Sequence, residues 1–444
     1  MSPVLAETVV SEQTKAALQK PITLDQALSI AFAESPSIRI ALDQIEKSKF
    51  GISEARGNFM PNFKLDVTRT YQGPAVTITL PESDISANIV QPRSTAAAAN
   101  VVLPLDINRR LTYVSDLAKM QFAIDYLSLT ATSQKLIYDV KSAYYGVLRA
   151  KGQQETAQSS VDVAMAQLKD AGSRFSAGTA PKFDVTRAQV NVANLNQTLV
   201  QAKSRVAIAV AVLNQTMGVD VSAPTELVKN EISVAKDPVD IAKAIDQAYA
   251  NRPEVKSAQA AVEMNEKNAR IQRTSVLPSL GLSGTFNYSF NPGGFSSASE
   301  SWIALADLKI PIWDGGVAKA KVAEAYADMK KAKDTVVQVR QGVALETRTA
   351  GLNLHQATER VATAAESVSL AEEALRLANV RYSEGISVMV EVLDAQSALT
   401  LARVNFVDAQ YDYATSVAQL QKATGSQPEL EKLQLLKPAD GGRG

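Results

Sequence analysis

Apolar residues recur at alternating steps of three and four positions through several long stretches of this chain. An apolar residue every 3.5 positions on average keeps one side of a helix against a neighbouring helix. The pattern therefore predicts long coiled-coil helices, with alanines that let the backbones approach closely. The clearest seam runs through Val392, Ala395, Leu399, Ala402, Phe406, Ala409, Tyr413, Ser416 and Leu420.

Four shorter segments alternate instead between apolar and polar residues, which is the period of a β-strand. They cover about 61–72, 95–107, 278–290 and 300–313. Taken alone, such segments favour a half-buried sheet in a soluble domain. Their length of about ten residues and their terminal aromatics also match the wall of a membrane β-barrel.

The number of strands bears on this choice. Bacterial membrane barrels start at about eight strands, so four strands cannot close one. Open sheet edges cannot exist in lipid, because nothing there satisfies their backbone hydrogen bonds. A membrane sheet would therefore be shared between chains, and three chains would supply twelve strands.

An internal repeat organises the chain. Residues 27–65 align with 244–282 at an offset of 217, and from Pro104 and Pro311 onward the offset is 207. Each half is predicted to contain a helix of about 22 residues, two strands, a helix of about 55–60 residues, a glycine turn and a helix of about 35 residues. Similarity at a fixed, long period indicates a duplicated architecture.

The domain boundaries follow from the repeat. We predict an N-terminal extension at 1–21, a first repeat at 22–218, a linker at 219–243, a second repeat at 244–425 and a flexible tail at 426–444. Within the two repeats, the long helices are predicted to end in hairpin turns at 174–184 and 381–391.

Composition excludes several kinds of function. The chain has 46 basic and 46 acidic residues, and this balance argues against a nucleic-acid binder. It has no cysteine and a single histidine, His355, so thiol catalysis and cysteine-based zinc sites are excluded. No acidic pair accompanies a recognisable nucleophile or metal constellation. We therefore predict no enzyme, no catalytic residue, no cofactor and no metal site.

The ends of the chain carry little information on location. No apolar run approaches the roughly 18–20 residues of a membrane-spanning helix. The first residues, MSPVLAETVV, lack the charged and long apolar regions of a signal peptide. We expect the signal peptide to be absent from the chain as given. A cytoplasmic protein and a processed exported one both fit this observation.

Three motifs carry a family resemblance. They are ITLDQALSIAFAESPSI at 22–38, IPIWDGG at 310–316, and the paired turns RFSAG and RYSEG after Ala-rich helices. Over about residues 22–426, the chain resembles the TolC-type outer membrane efflux proteins. The resemblance implies an α+β membrane protein with internal duplication. It implies a homotrimer whose chains share a twelve-stranded β-barrel in outer membrane lipid, above a periplasmic tunnel of long antiparallel coiled-coil helices.

The resemblance also implies partners and a function. A periplasmic adaptor (membrane fusion) protein and an inner membrane transporter would dock to the trimer. The duct would export small molecules or proteins, without catalysis, and would be gated at its periplasmic end. The residues do not separate drug efflux from type I protein secretion, because the transporter selects the cargo.

The two glycine turns have a sufficient structural explanation. Gly178 and Gly385 lie where a helix stops and reverses, and a left-handed residue there favours glycine. Arg174 and Arg381 lie in the last helical turn, where a cation suits the negative end of the helix dipole. The resemblance adds that these four residues belong to the tip that contacts the adaptor.

Only the second turn is followed by two acidic residues on one helix face, Glu391 and Asp394. Residues three apart are neighbours on a helix surface, and acids are favoured in the first turns of any helix. The resemblance implies a second role, in which three copies of each form the pore constriction. Such an acidic ring attracts cations and repels anions.

The first turn carries Asp184 and Arg187 at the matching positions, which can form ion pairs. The resemblance assigns Asp184 and Tyr382 to a latch between helices, and we place Arg187 in the same latch. We expect opening to be an untwisting of the 381–424 hairpin, triggered when an adaptor breaks these contacts. Such a change is small if the closed and open packings are close in energy.

The chain departs from the family pattern at two places. Family members often have Asn before the proline of the first helix, where this chain has Ser35 and Arg252. They also often have Arg two residues after the second turn glycine, where this chain has Ser387. At least one latch contact is therefore missing or replaced.

The main alternative is a soluble coiled-coil scaffold protein. It would explain the heptads, but not four alternating segments at equivalent places in both halves. A requirement for detergent during extraction would separate the two hypotheses.

Overall fold

The computed structural model describes residues 20–73, 76–79, 86–90, 93–229, 232–235, 239–291 and 298–429. The predicted N-terminal extension, apart from residues 20 and 21, lies outside these ranges. So does the predicted flexible tail beyond residue 429. Among the described residues, no helix combines the length and apolar character that crossing a membrane would need.

The helices of the described residues occur in the same order in both halves. The long helices have 67 residues each, more than the 55–60 predicted, and the helices after the turns have 36. The helices are α1 (Leu24–Glu34), α2 (Pro36–Gly57), α3 (Arg110–Ser176), α4 (Lys182–Met217), α5 (Ile241–Asn251), α6 (Pro253–Thr274), α7 (Val317–Ser383) and α8 (Met389–Thr424).

Two aspartates explain why the long helices start early. The carboxylate of Asp106 accepts hydrogen bonds from the backbone N–H groups of Leu111 and Thr112, at 2.8 and 2.9 Å. The carboxylate of Asp314 accepts one from Ala318 at 2.7 Å. Such bonds satisfy the unpaired N–H groups of a first helical turn. The helices therefore begin soon after the strands end.

Four strands form one antiparallel sheet in the order β1-β4-β5-β6. Its strands are β1 (Asn62–Tyr71), β4 (Arg93–Leu105), β5 (Ser279–Ser289) and β6 (Glu300–Lys309). Their register places Phe286 opposite Trp302 and Leu103 opposite Leu282. A separate hairpin of β2 (Val76–Thr79) and β3 (Ser86–Val90), which the alternation does not predict, joins β1 to β4 along the chain.

The sheet has two edges. Among the described residues, β1 pairs only with β4, and β6 pairs only with β5. Every residue of β6 is exposed, including Trp302 at 77% and Leu305 at 53%. Edge strands with unpaired backbone groups are a template for further strand pairing.

Contacts divide the chain into two compact units. The first, called here the helical unit, comprises Met1–Leu42, Leu127–Lys256 and Gln338–Gly444. It contains the two interhelical turns and the short helices α1 and α5. The second, called here the sheet unit, comprises Asp43–Tyr126 and Ser257–Val337 and contains the four-stranded sheet.

Small residues dominate the packing of the helical unit. Ala350, Ala357 and Ala409 are buried along the seams of α7 and α8. Gly152 of α3 lies so close to α8 that an added Cβ would come within 2.8 Å of a Val407 methyl carbon. Close approach of helix backbones explains why the seams contain so many alanines.

Candidate functional site

The two interhelical turns have the same backbone. The N–H groups of Gly178 and Gly385 donate to carbonyls three residues back, at 3.0 and 3.1 Å. The next N–H groups donate to the carbonyls of Arg174 and Arg381, both at 2.9 Å. Both glycines have left-handed φ angles, 73° and 71°. This is a Schellman-type helix end, in which the glycine avoids a Cβ clash.

The two turn arginines make different contacts. Arg174 forms an ion pair with Asp170 on its own helix at 2.8 Å, and its guanidinium lies 5.1 Å from the centre of the Tyr382 ring. It therefore connects α3 to the end of α7. Arg381 reaches across its own turn to Glu391 at 3.7 Å. The second arginine therefore connects the two ends of its turn.

The two candidate constriction acids are not equivalent. Glu391 and Asp394 are both exposed, three residues apart near the start of α8. Glu391 is paired with Arg381, whereas Asp394 forms no ion pair with any described residue. A nearby opposite charge reduces the field of a carboxylate at a distance. Within one chain, Asp394 is thus the less neutralised of the two.

The predicted latch residues are only partly brought together. Tyr382 is half-buried, and burial first, then the charge of Asp184, raises the pKa of its phenol. Its hydroxyl is buried and hydrogen-bonds no group in the described part of the chain. Arg187 lies with its guanidinium 5.7 Å from the centre of the Phe183 ring, and it forms no ion pair with any described residue. The ion pair expected in the first turn is instead found in the second, between Arg381 and Glu391.

An apolar cluster lies beneath both turns. It fixes the end of α7 against the start of α8, and Val185 of α4 packs on it. Rigid packing of this kind holds the turn residues in place. Its buried members are Ala171, Leu375, Ala378, Met389, Val392 and Leu399.

Several polar atoms near the turns are buried without a partner among the described residues. They are the hydroxyls of Tyr382 and Ser387, the side-chain carbonyl of Gln396 and both amide atoms of Gln167. Leaving such a group unpaired costs about 1–3 kcal/mol. The repeat of apolar residues along the helices could not identify these buried positions, because glutamine and serine are polar. The sequence drew attention only to Tyr382 and Ser387.

Large apolar side chains are exposed on the turns. Phe183 is 65% exposed, Ile386 70% and Val388 61%. Exposed apolar groups clustered on one surface are typical of sites that contact another protein.

Arg252, a departure from the family pattern, is buried and forms ion pairs with two partly exposed glutamates of the helical unit. Its guanidinium binds Glu254 and Glu346, each at 2.9 Å, and donates to the carbonyls of Lys422 and Ala423 at 3.3 Å. Those carbonyls belong to the last turn of α8, where a cation stabilises the helix end. Ser35, the matching residue of the first half, instead shares a hydrogen bond with Ser37 at 2.8 Å.

No group of three or more acidic or histidine side chains in the described ranges is placed to hold a metal ion.

Comparison with known proteins identifies the family. A family model described as "Outer membrane efflux protein" matches residues 27–219 and 244–426. The chain belongs to this family. The two matched ranges start 217 residues apart and end 207 residues apart, the same offsets as the internal repeat.

Relatives and solved structures agree with this assignment. Outer membrane protein TolC of Vibrio cholerae is 24% identical over 388 residues, covering 85% of each chain. Protein CyaE of Bordetella pertussis is 24% identical over 407 residues, covering 91% of this chain and 84% of CyaE. The outer membrane channel CmeC of Campylobacter jejuni superposes with a TM-score of 0.77 at 16% identity, covering 93% of this chain and 89% of CmeC.

These findings confirm the predicted family, fold class, outer membrane location and channel function in efflux. They do not support the soluble scaffold.

Proposed function

We propose that three copies of this outer membrane efflux protein assemble into one export duct with a shared barrel. The observation that carries this proposal is the four-stranded sheet with edges at β1 and β6. In lipid, the unpaired backbone groups of both edges need partners. Pairing β6 of one chain with β1 of the next satisfies them, and three chains give twelve strands.

The long helices support the same assembly. Three sets of α3, α4, α7 and α8 would continue the barrel as a periplasmic tunnel.

The interhelical turns are the proposed periplasmic gate. Glu391 and Asp394 of three chains would form an acidic constriction, which selects for cations. Asp184, Tyr382 and Arg187 would hold the turns in the closed arrangement. The charge of Asp184, which helps to raise the pKa of the Tyr382 phenol, supports an electrostatic coupling of the pair.

The same turns are the proposed docking site for a periplasmic adaptor protein, which would link the duct to an inner membrane transporter. Arg174, Gly178, Arg381 and Gly385 shape this tip, and the exposed Ile386 adds apolar surface. The cargo would be small molecules or secreted proteins. Relatives named for solvent and toluene efflux pumps in Pseudomonas putida favour small molecules.

Single-channel recording in planar bilayers tests this function. Purified protein is expected to form discrete, cation-selective channels, and replacing Asp184 and Tyr382 together with Ala and Phe is expected to raise their conductance. Glu226→Gln, in the segment between the repeats, serves as a control away from the turns. Folded protein that gives no channels would contradict the duct, and unchanged conductance in the double variant would contradict the latch.

A further inference from the structure

A cavity of about 710 Å³ lies within the sheet unit, where helices meet strands. The start of α3, the end of α6 and the first third of α7 form its walls. These helix ends directly follow β4 and directly precede β5. The cavity is therefore located at the end of the sheet from which the helices extend.

The cavity is positively charged. Four cations line it, Arg109, Arg270, Arg273 and Lys333, against one carboxylate, Glu266. Arg270 is paired with Glu266 at 2.8 Å. The other three cations form no ion pair with any residue the structure describes. Formal charge at the cavity is therefore three positive units in excess.

Aromatic rings hold two of the arginines in place. The guanidinium of Arg273 lies 5.1 Å from the centre of the Tyr326 ring, and that of Arg109 lies 5.9 Å from the centre of the Tyr113 ring. Such contacts orient a guanidinium without neutralising it. Both guanidinium groups therefore remain available to an anion.

Arg109 occupies a strained backbone conformation. Its φ of 61° is the only positive φ of a non-glycine residue in the described part of the chain. The equivalent residue of the second half is Gly316, with a φ of 88°. A side chain in this region of φ is disfavoured, and such strain is concentrated at functional positions. The chain keeps an arginine where a glycine would fit without strain.

The internal repeat provides a built-in comparison. At the positions equivalent to Arg109, Tyr113 and Arg270, the other half of the chain has Gly316, Ala320 and Ser53. Arg109, Tyr113 and Arg270 are thus specific to this junction. The equivalent positions of the other junction carry cations of their own, Lys49, Arg56 and Lys119. A structural need that both junctions share therefore does not account for Arg109 or Arg270.

The side of the cavity next to the sheet is apolar. Ile107 and Leu277 line it and are 52% and 45% exposed. Beyond the end of β6, Ile312 and Trp313 are 95% and 87% exposed. Exposed tryptophan beside apolar residues is typical of a membrane–water interface. The cavity therefore combines cations with an apolar surface, as a lipid headgroup site requires.

We propose that this cavity binds the phosphate of a membrane glycerophospholipid, with Ile107 and Leu277 against its acyl chains. Arg109, Arg273 and Lys333 would contact the phosphate oxygens. The proposal rests on the proposed function in one respect: the sheet must lie in the outer membrane, so that the cavity opens at its periplasmic surface. A bound lipid would fix the height of the sheet in the bilayer.

Native mass spectrometry of the detergent-purified protein tests the proposal. The probes are phosphatidylglycerol, diacylglycerol without a phosphate, and inorganic phosphate. The wild type is expected to retain phosphatidylglycerol, to ignore diacylglycerol and to bind inorganic phosphate at least tenfold more weakly. Arg270→Ser/Arg273→Gln is expected to lower retention of phosphatidylglycerol at least tenfold.

Two further variants keep the test independent of folding. Arg109→Gly relieves backbone strain and is expected to lower retention while leaving thermal stability equal or higher. Lys256→Gln removes an exposed cation at the other end of α6 and is expected to change nothing. Equal retention by wild type and the arginine variants would overturn the site. Equal binding of phosphate and lipid would overturn the lipid assignment.

Single-channel recordings of the same variants separate this proposal from the proposed function. Loss of lipid retention with channels still present supports the lipid site. Lipid retention is measured in detergent, so it would still be observed if the wild type formed no channels.

Discussion

At the scale of single residues, the difference between the two turns is one of charge rather than of backbone. Both turns end a helix with the same hydrogen bonds and the same left-handed glycine. Arg174 is engaged by Asp170 and Tyr382, so only Arg381 is free to pair with the acid that follows its turn. This pairing leaves Asp394 as the uncompensated one of the two candidate constriction acids.

Cation selectivity should therefore depend more on Asp394 than on Glu391. We expect Asp394→Asn to lower the cation-to-anion permeability ratio more than Glu391→Gln, because Arg381 already offsets the second carboxylate. Arg381→Gln should raise the ratio. Reversal potentials in a salt gradient across a planar bilayer measure this, with Glu384→Gln at the same turn as control. An equal or larger effect of Glu391→Gln would contradict the account.

Alanine substitutions at two glycines distinguish two causes of lost stability, the left-handed backbone conformation and steric crowding of the added Cβ. Gly178→Ala places a Cβ in open space, so we expect only the conformational cost of about 1–2 kcal/mol. Gly218→Ala, at a similar φ of 79°, places a Cβ 2.6 Å from the Glu34 carbonyl oxygen. The second variant should unfold at a clearly lower temperature, as measured by circular dichroism. Equal melting temperatures would show that α1 moves away without cost.

At the scale of elements, the periodicity of the sequence was sufficient to predict the long helices and the four-stranded sheet. The periodicity underestimated the length of the two long helices, because Asp106 and Asp314 cap them directly after the strands. It missed the β2–β3 hairpin, since strands of four and five residues are too short to show a period. It also missed buried polar seam residues such as Thr347 and Gln396.

The cap on the end of α8 gives a prediction for stability. Arg252→Ser introduces the residue found at the matching position of the first half. It removes the buried cation that binds Glu254, Glu346 and two terminal carbonyls. Glu254 and Glu346 are 40% and 33% exposed and Glu346 keeps Lys422, so the cost is expected below that of a fully buried pair, at about 1–3 kcal/mol. Denaturant unfolding should show a loss of this size, and a loss below about 1 kcal/mol would contradict a structural role.

The same network predicts a dependence of stability on pH. Burial opposes the ionisation of Glu346, but Arg252 and Lys422 outweigh it and lower the pKa of this carboxyl. The ionised carboxyl stabilises the fold, and this contribution is complete at pH values above the ordinary pKa of 4.5. It is lost as the pH falls through the lower pKa that the carboxyl has in the folded protein. Glu346→Gln should therefore flatten the acid side of the stability profile. An unchanged profile below pH 4.5 would contradict this coupling.

At the scale of the whole molecule, the chain is incomplete by itself. The sheet ends in two edges, β1 and β6, that pair on one side only among the described residues. The strand count in the sequence was enough to propose a shared barrel. It was not enough to give the register between β6 of one chain and β1 of the next, because that pairing joins different copies.

Disulfide trapping between β1 and β6 tests the shared barrel most directly. The chain has no cysteine, so Val67→Cys can be combined with a cysteine placed in turn at each of residues 303–307. A disulfide spans Cβ atoms about 3.5–4.5 Å apart, which directly opposite residues approach in non-hydrogen-bonded pairs of antiparallel strands. The account predicts covalent trimers at one register, reversed by reductant and absent from each single-cysteine control. Folded protein that gives no cross-link at any register would contradict it.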